Sequence, residues 1–145
     1  MSDEAHFHLS GFVNKQNFLY WSATNPIEIH KRSLRSSKVT VWCAISSFGI
    51  IGPYFFEDGR ERAVTVTGPH YIHMLENFLG PELAHHPVTE ETFFGQDGAT
   101  NHTARDSMAA VRNLFSNHVV SRYRDITWPA RSPDLSACDF FLWVI

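Results

Sequence analysis

The chain has 145 residues, of which 43% are apolar and 19% charged, a composition that excludes a disordered polymer and allows one domain with a core. Its formal net charge of −3 gives no global positive field to attract nucleic acid, which counts against a protein that simply coats DNA. No apolar run reaches the ~20 residues of a membrane span, the acidic start MSDEAHFHLS has no signal-peptide core, and Cys43 and Cys138 fit no zinc or CxxC spacing. A reduced, intracellular protein without membrane contact is expected.

The first predicted element is a strand in HFHLSGFV, where Phe7 and Leu9 alternate with His6 and His8, and Asp3 shares the parity of Phe7. Gly11 to Ser37 has weak periodicity and reads as a long connection, a type that is usually functional or disordered. KVTVWCAISSFGIIGPYFFE reads as a hairpin turning at Ser46 to Gly49, with Pro53 marking an edge or an irregularity. AVTVT is expected as the third strand of a meander. Tyr71, Met74, Leu75, Phe78 and Leu79 form the stripe of an amphipathic helix, with Pro69 at its start and Gly80-Pro81 to end or kink it. ETFFGQD is a short strand, and HTARDSMAAVRNLFSNH is a second helix with Ala104, Met108, Val111 and Phe115 on one face. HVVSRY is a further strand, and WPARSPDLSACDFFLWVI runs from a Pro-rich loop into the start of a helix. The order predicts one mixed α/β domain over residues 1–145.

Three acids stand at the edges of apolar elements: Asp3, Asp97 and Asp139. A mixed sheet can set Asp3 beside Asp97, and a following helix can add Asp139. Converging carboxylates repel one another unless a cation lies between them, and hard oxygen donors select Mg²⁺ or Mn²⁺. Two such ions about 4 Å apart can activate a water or a 3′-hydroxyl and stabilise the leaving oxygen of a phosphodiester. Blander readings stand beside this one. Asp3 is then a solvated terminal acid, Asp97-Gly98 an ordinary turn, and Asp139 the acid three residues into a helix capped by Ser136.

The stretches SDEAHFHLSGFVNKQN, KVTVWCAISSFGIIGPYFFE, QDGATNHTA and RSPDLSACDFFLW together resemble, in order and over essentially the whole chain, the catalytic domain of Tc1/mariner-type DNA transposases of the DDE/D family. The resemblance implies an RNase H-like fold, a five-stranded mixed sheet flanked by helices. It implies that Asp3, Asp97 and Asp139 are the catalytic, metal-binding acids, with Asp134 not among them. It implies Mg²⁺ as cofactor, with Mn²⁺ substituting, and hydrolysis at transposon ends followed by attack of the freed 3′-hydroxyl on target DNA. DNA as partner, a homodimer and a nuclear location follow from the same resemblance. Asp97 and Asp139 lie 42 positions apart, wider than in the best-known members, and extra loop between Val119 and Trp128 is expected to absorb the difference. No helix-turn-helix region precedes Asp3, and the chain stops six residues after Asp139. The fold is therefore expected to be truncated at both ends. The alternative function is an inactive transposon-derived remnant that at most binds DNA non-specifically.

The basic residues fall into two sets. One is Lys15, Lys31, Arg32, Arg35 and Lys38, and the other is Arg105, Arg112, Arg122, Arg124 and Arg131. Lys31, Arg32, Arg35, Lys38 and Arg131 are the candidate DNA contacts, because phosphate binding needs local rather than global positive charge. For His102, capping of the following helix is the expectation, with DNA contact as the other reading. Neither a nucleophile elbow nor a Gly-rich phosphate loop is present. A nuclease that uses the same metal chemistry without strand transfer is a third possibility.

Overall fold

The computed structural model describes residues 1–8, 38–116, 118–122, 126–129 and 135–143. Strands β1 (Ser2–His8), β2 (Lys38–Ser46) and β3 (Gly49–Phe55) form an antiparallel sheet in that order. Asp3 pairs with Cys43 and His8 with Lys38. The hairpin turns at Ser47-Phe48 as the sequence suggests. Among the described residues its second strand is an edge, and Pro53 lies where the register to β2 shifts, so a residue without a backbone N–H costs no ladder bond. Three short strands, β4 (Phe94–Gly95), β5 (Val119–Ser121) and β6 (Ile126–Thr127), form a second, parallel set. The two sets meet where β1 begins. The Ser2 hydroxyl donates to the Gly95 carbonyl at 3.1 Å, and a Cβ on Gly95 would stand 3.0 Å from Met1 Sδ. A side chain there would press on the Met1 side chain, while the Met1 backbone, at 3.6 Å, is in ordinary contact.

The expected single five-stranded sheet is thus, among the described residues, two three-stranded sheets joined at one corner. The AVTVT strand does not form. Asp58 accepts bonds from the Arg60 and Arg62 N–H groups and holds the Arg62 guanidinium at 2.7 Å. That tight loop leaves one bridge, Glu57 to Ala63. Val64 and Val66 then pack on the core rather than extending a ladder.

Helix α1 (Gly68–Met74) begins at Thr67, whose hydroxyl accepts from the His70 N–H, with Pro69 in its first turn. It passes through a π-helical turn at Leu75–Leu79 into α2 (Gly80–Leu83). The expected stop at Gly80-Pro81 is therefore a change of winding. Pro81 has no N–H to offer the preceding turn, and the wider turn relieves the clash of its ring. The predicted stripe holds: Tyr71, Met74, Leu75 and Leu79 are buried, and Phe78 packs beside them. The second helix is broken in two. α3 (Thr100–Thr103) and α4 (Arg105–Phe115) are separated by Ala104 in an extended conformation. Ala104 is exposed at the break, while Met108, Val111 and Phe115 are buried as expected. Trp42, Ile51, Phe56, Phe94 and Val119 complete the core between sheet and helices. A second π-helical turn, Cys138–Leu142, packs on β1 and β2. Among the described residues no helix is long and apolar enough to cross a membrane.

Candidate active site

Asp3 lies on β1 one step from Glu4, so the two side chains point to opposite faces of the strand. The Asp3 carboxylate accepts a bond from the Trp143 indole N–H at 2.9 Å. Burial, then the charges of Asp139 and Glu4, push its pKa up to about 7. Asp139 sits in the turn Cys138–Leu142. Burial raises its pKa, the Ser136 hydroxyl partly offsets that, and the charge of Asp97 raises it further. Asp97 follows β4 and is half-exposed. Burial pushes its carboxyl up, but the His102 bond and charge and the Ala99 N–H outweigh that, and the pKa is lowered.

The charge of Asp139 thus reaches Asp3 and that of Asp97 reaches Asp139. The three predicted acids come from a strand start, a strand end and a C-terminal turn. The bland readings are realised at two of them as well. The Asp97 side chain accepts from the Ala99 N–H at 3.0 Å and so makes a turn. The Asp139 N–H donates to the Ser136 hydroxyl at 3.4 Å, as in a capped turn, although Ala137 is the residue at the cap position of Cys138–Leu142. Carboxylates are the donor type that a hard divalent cation takes. Among the described residues, however, no three His, Cys, Asp or Glu side chains are placed so that they could hold a metal ion.

His102 does not cap a helix. Its ring is buried between two carboxylates, with Nδ1 2.6 Å from Asp97 and Nε2 2.9 Å from Glu4. Carboxylates only accept, so both ring nitrogens carry protons and the ring is an imidazolium. Burial lowers its pKa, but the bonds and charges of Asp97 and Glu4 prevail and raise it to about 10. Tyr71 lies against the ring at 4.4 Å between centroids. The Tyr71 hydroxyl donates to Gln96 Oε1 at 2.7 Å, and the Gln96 amide donates to the His102 carbonyl at 3.2 Å. Glu4, Gln96 and Tyr71 were not singled out from the sequence. The sequence signal for Glu4 and Gln96 is only that each adjoins a predicted acid, and Tyr71 was read there only as part of the apolar helix stripe. Tyr71→Phe strands the buried Gln96 oxygen, and urea unfolding is expected to show a loss of about 1–3 kcal/mol.

Gly98 was expected to permit a sharp turn. Its role is space: a Cβ there would stand 2.7 Å from Arg122 Cδ. Arg122 is thereby packed against the loop that carries Asp97. Lys38 is exposed and pairs with His8, five steps along the ladder from the Asp3 register. At ~3.4 Å per residue that is roughly 17 Å from the acids. Lys31, Arg32, Arg35 and Arg131, the other candidate DNA contacts, lie outside the described residues.

No protein-family model matches the chain. No curated protein matches it either. Among solved structures it is similar to the Mos1 transposase, in a paired-end complex with the left transposon end, with a TM-score of 0.63 and 24% identity. The likeness covers 98% of this chain and 38% of the transposase chain. At that identity it is a likeness of fold. The mixed α/β arrangement expected from the sequence is, over nearly the whole chain, similar to that of a segment of a transposase.

Proposed function

We propose that the chain is the catalytic domain of a Tc1/mariner-type DNA transposase with an RNase H-like core. In this reading Asp3, Asp97 and Asp139 hold Mg²⁺, or Mn²⁺ in its place, for cleavage of transposon ends and strand transfer. The observation that carries it is that Trp143, in the C-terminal turn of Asp139, bonds Asp3, while His102 links Asp97 to Glu4 beside Asp3, within a fold similar to a transposase. When bound, the cation supplies Lewis-acid activation of a water or 3′-hydroxyl and neutralises the leaving oxygen. The protein's part is to hold the carboxylates. Asp3 is steadied by Trp143, Asp139 by Ser136, and Asp97 by Ala99 and His102. Lys31, Arg32, Arg35, Lys38 and Arg131 are the proposed phosphate contacts, DNA the partner, a homodimer the assembly and the nucleus the location.

A second reading, an inactive remnant that binds DNA non-specifically, is favoured by one observation. Asp3 and Asp97 are already engaged by protein donors, and the described acids form no ready cage. Thermal unfolding across a Mn²⁺ titration separates the two, because a ligand that binds only the native state raises stability with its concentration. Wild type is expected to gain about 3 kcal/mol at a hundredfold excess over Kd, and Asp97→Asn to gain none. A cooperative wild-type transition that ignores metal would leave the remnant reading.

A further inference from the structure

We propose that Glu4 and His102 are positioning residues for Asp97, forming a clamp that decides which carboxylate oxygen is presented. The inference rests on the metal-binding reading above and deepens it. Both bonds that Asp97 accepts, from His102 Nδ1 and from the Ala99 N–H, fall on Oδ1. Oδ2 takes none among the described residues, so it is the oxygen offered to a cation.

The clamp is built from three directions. β1 supplies Glu4 on the face opposite Asp3, and its carboxylate holds Nε2, so the ring cannot rotate about its own axis without losing a charge-assisted bond. Tyr71 from α1 covers the ring face, and Gln96 ties the His102 carbonyl. The break at Ala104 keeps His102 in a short separate turn, which lets its side chain face inward instead of following the register of α4. One strand thus delivers a ligand at Asp3 and, from the next residue, the support for another ligand at Asp97. The pairing resembles the carboxylate–imidazole supports that orient metal ligands elsewhere, whose loss typically weakens metal binding by 10–100-fold.

The test uses the full chain, with free Mn²⁺ measured by electron paramagnetic resonance and ¹³C NMR of the Asp97 carboxyl without metal. Glu4→Ala and His102→Ala are expected to weaken Mn²⁺ binding about 10–100-fold. Glu4→Gln, which still accepts from Nε2, is expected to restore most of the affinity, as is His102→Asn, which keeps a donor near the Nδ1 position. Wild-type affinity in well-folded alanine variants, or no rescue by Gln and Asn, overturns the clamp. If wild type binds no Mn²⁺, the metal reading fails on its own account, and NMR decides the clamp. A single sharp Asp97 carboxyl resonance is expected in wild type, shifted or broadened in Glu4→Ala. An unchanged resonance overturns the proposal. Should one alanine variant not melt cooperatively, the loss of affinity is read from the other, and its rescue from Glu4→Gln or His102→Asn.

Discussion

Asp97→Asn is expected to reduce Mn²⁺-dependent nicking of supercoiled plasmid to the level seen with a chelator. The substitution is nearly isosteric. Its carbonyl oxygen still accepts from the Ala99 N–H and from His102, so the turn and the imidazole contact remain. What disappears is the negative charge at Oδ2. A hard divalent cation binds anionic oxygen far better than an amide, and a carboxylate cluster deprived of one charge loses much of its attraction for it. Asp3→Asn and Asp139→Asn are expected to act in the same direction, because under the proposed reading they are the other two ligands, and the charge of Asp139 bears on Asp3. The comparison requires that wild type and variant be purified side by side. Nicking of equal rate in both would remove Asp97 from the chemistry, and strand-transfer products would distinguish a transposase from a plain nuclease.

The stability advantage of wild type over His102→Asn is expected to shrink as pH rises from 6.5 to 10. His102 is buried and its pKa is raised from 6.5 to about 10. The native state therefore holds its proton more tightly than the unfolded chain. That contribution is whole below pH 6.5, declines through the interval, and is gone above about pH 10. The groups facing the ring are Glu4, Asp97 and the Tyr71 hydroxyl, whose pKa is pushed well above its ordinary value by burial. Asp97 has a lowered pKa, so its share is present above the ordinary carboxylate value and fails only in acid. Asp3, raised to about 7, opposes folding increasingly from about pH 4 to 7. The buried Met1 amine, with a lowered pKa, works against the trend near pH 8. Comparing two proteins cancels those two groups and leaves the imidazole. At 1.36 kcal/mol per pKa unit the gap is on the order of 3–5 kcal/mol, which is roughly 10 °C or more in Tm for a domain of this size. A gap that stays flat from pH 6.5 to 9 would mean that the ring is not held as an imidazolium.

The elements with strong local periodicity were legible in the sequence. The β2–β3 hairpin, the Tyr71–Leu79 stripe and the apolar face of Met108, Val111 and Phe115 all repeat at the spacing of their own backbone geometry. The prominence of Asp3, Asp97 and Asp139 was legible too, because acids at the ends of apolar runs need a reason. The AVTVT stretch misled, since β-propensity says only that a segment suits a pleated surface, and here the Asp58 loop took its partner away. The π-helical turn before Pro81 and the break at Ala104 depend on what the neighbouring turns must accommodate, and no periodicity encodes that.

By itself, then, the sequence determined the order of strands and helices, the main core stripes and the three acids worth testing, because each depends on residues near one another along the chain. Only the tertiary structure decided that the charge of Asp139 reaches Asp3 and that of Asp97 reaches Asp139. It alone decided that His102 lies buried between Glu4, 98 positions away, and Asp97, rather than capping a helix. A histidine's role is set by the charges that surround it, and those charges arrive from β1 and from the end of β4. Long-range pairing brings them together, and the corner at Ser2 and Gly95, where the two sheets touch, is the contact that makes the meeting possible.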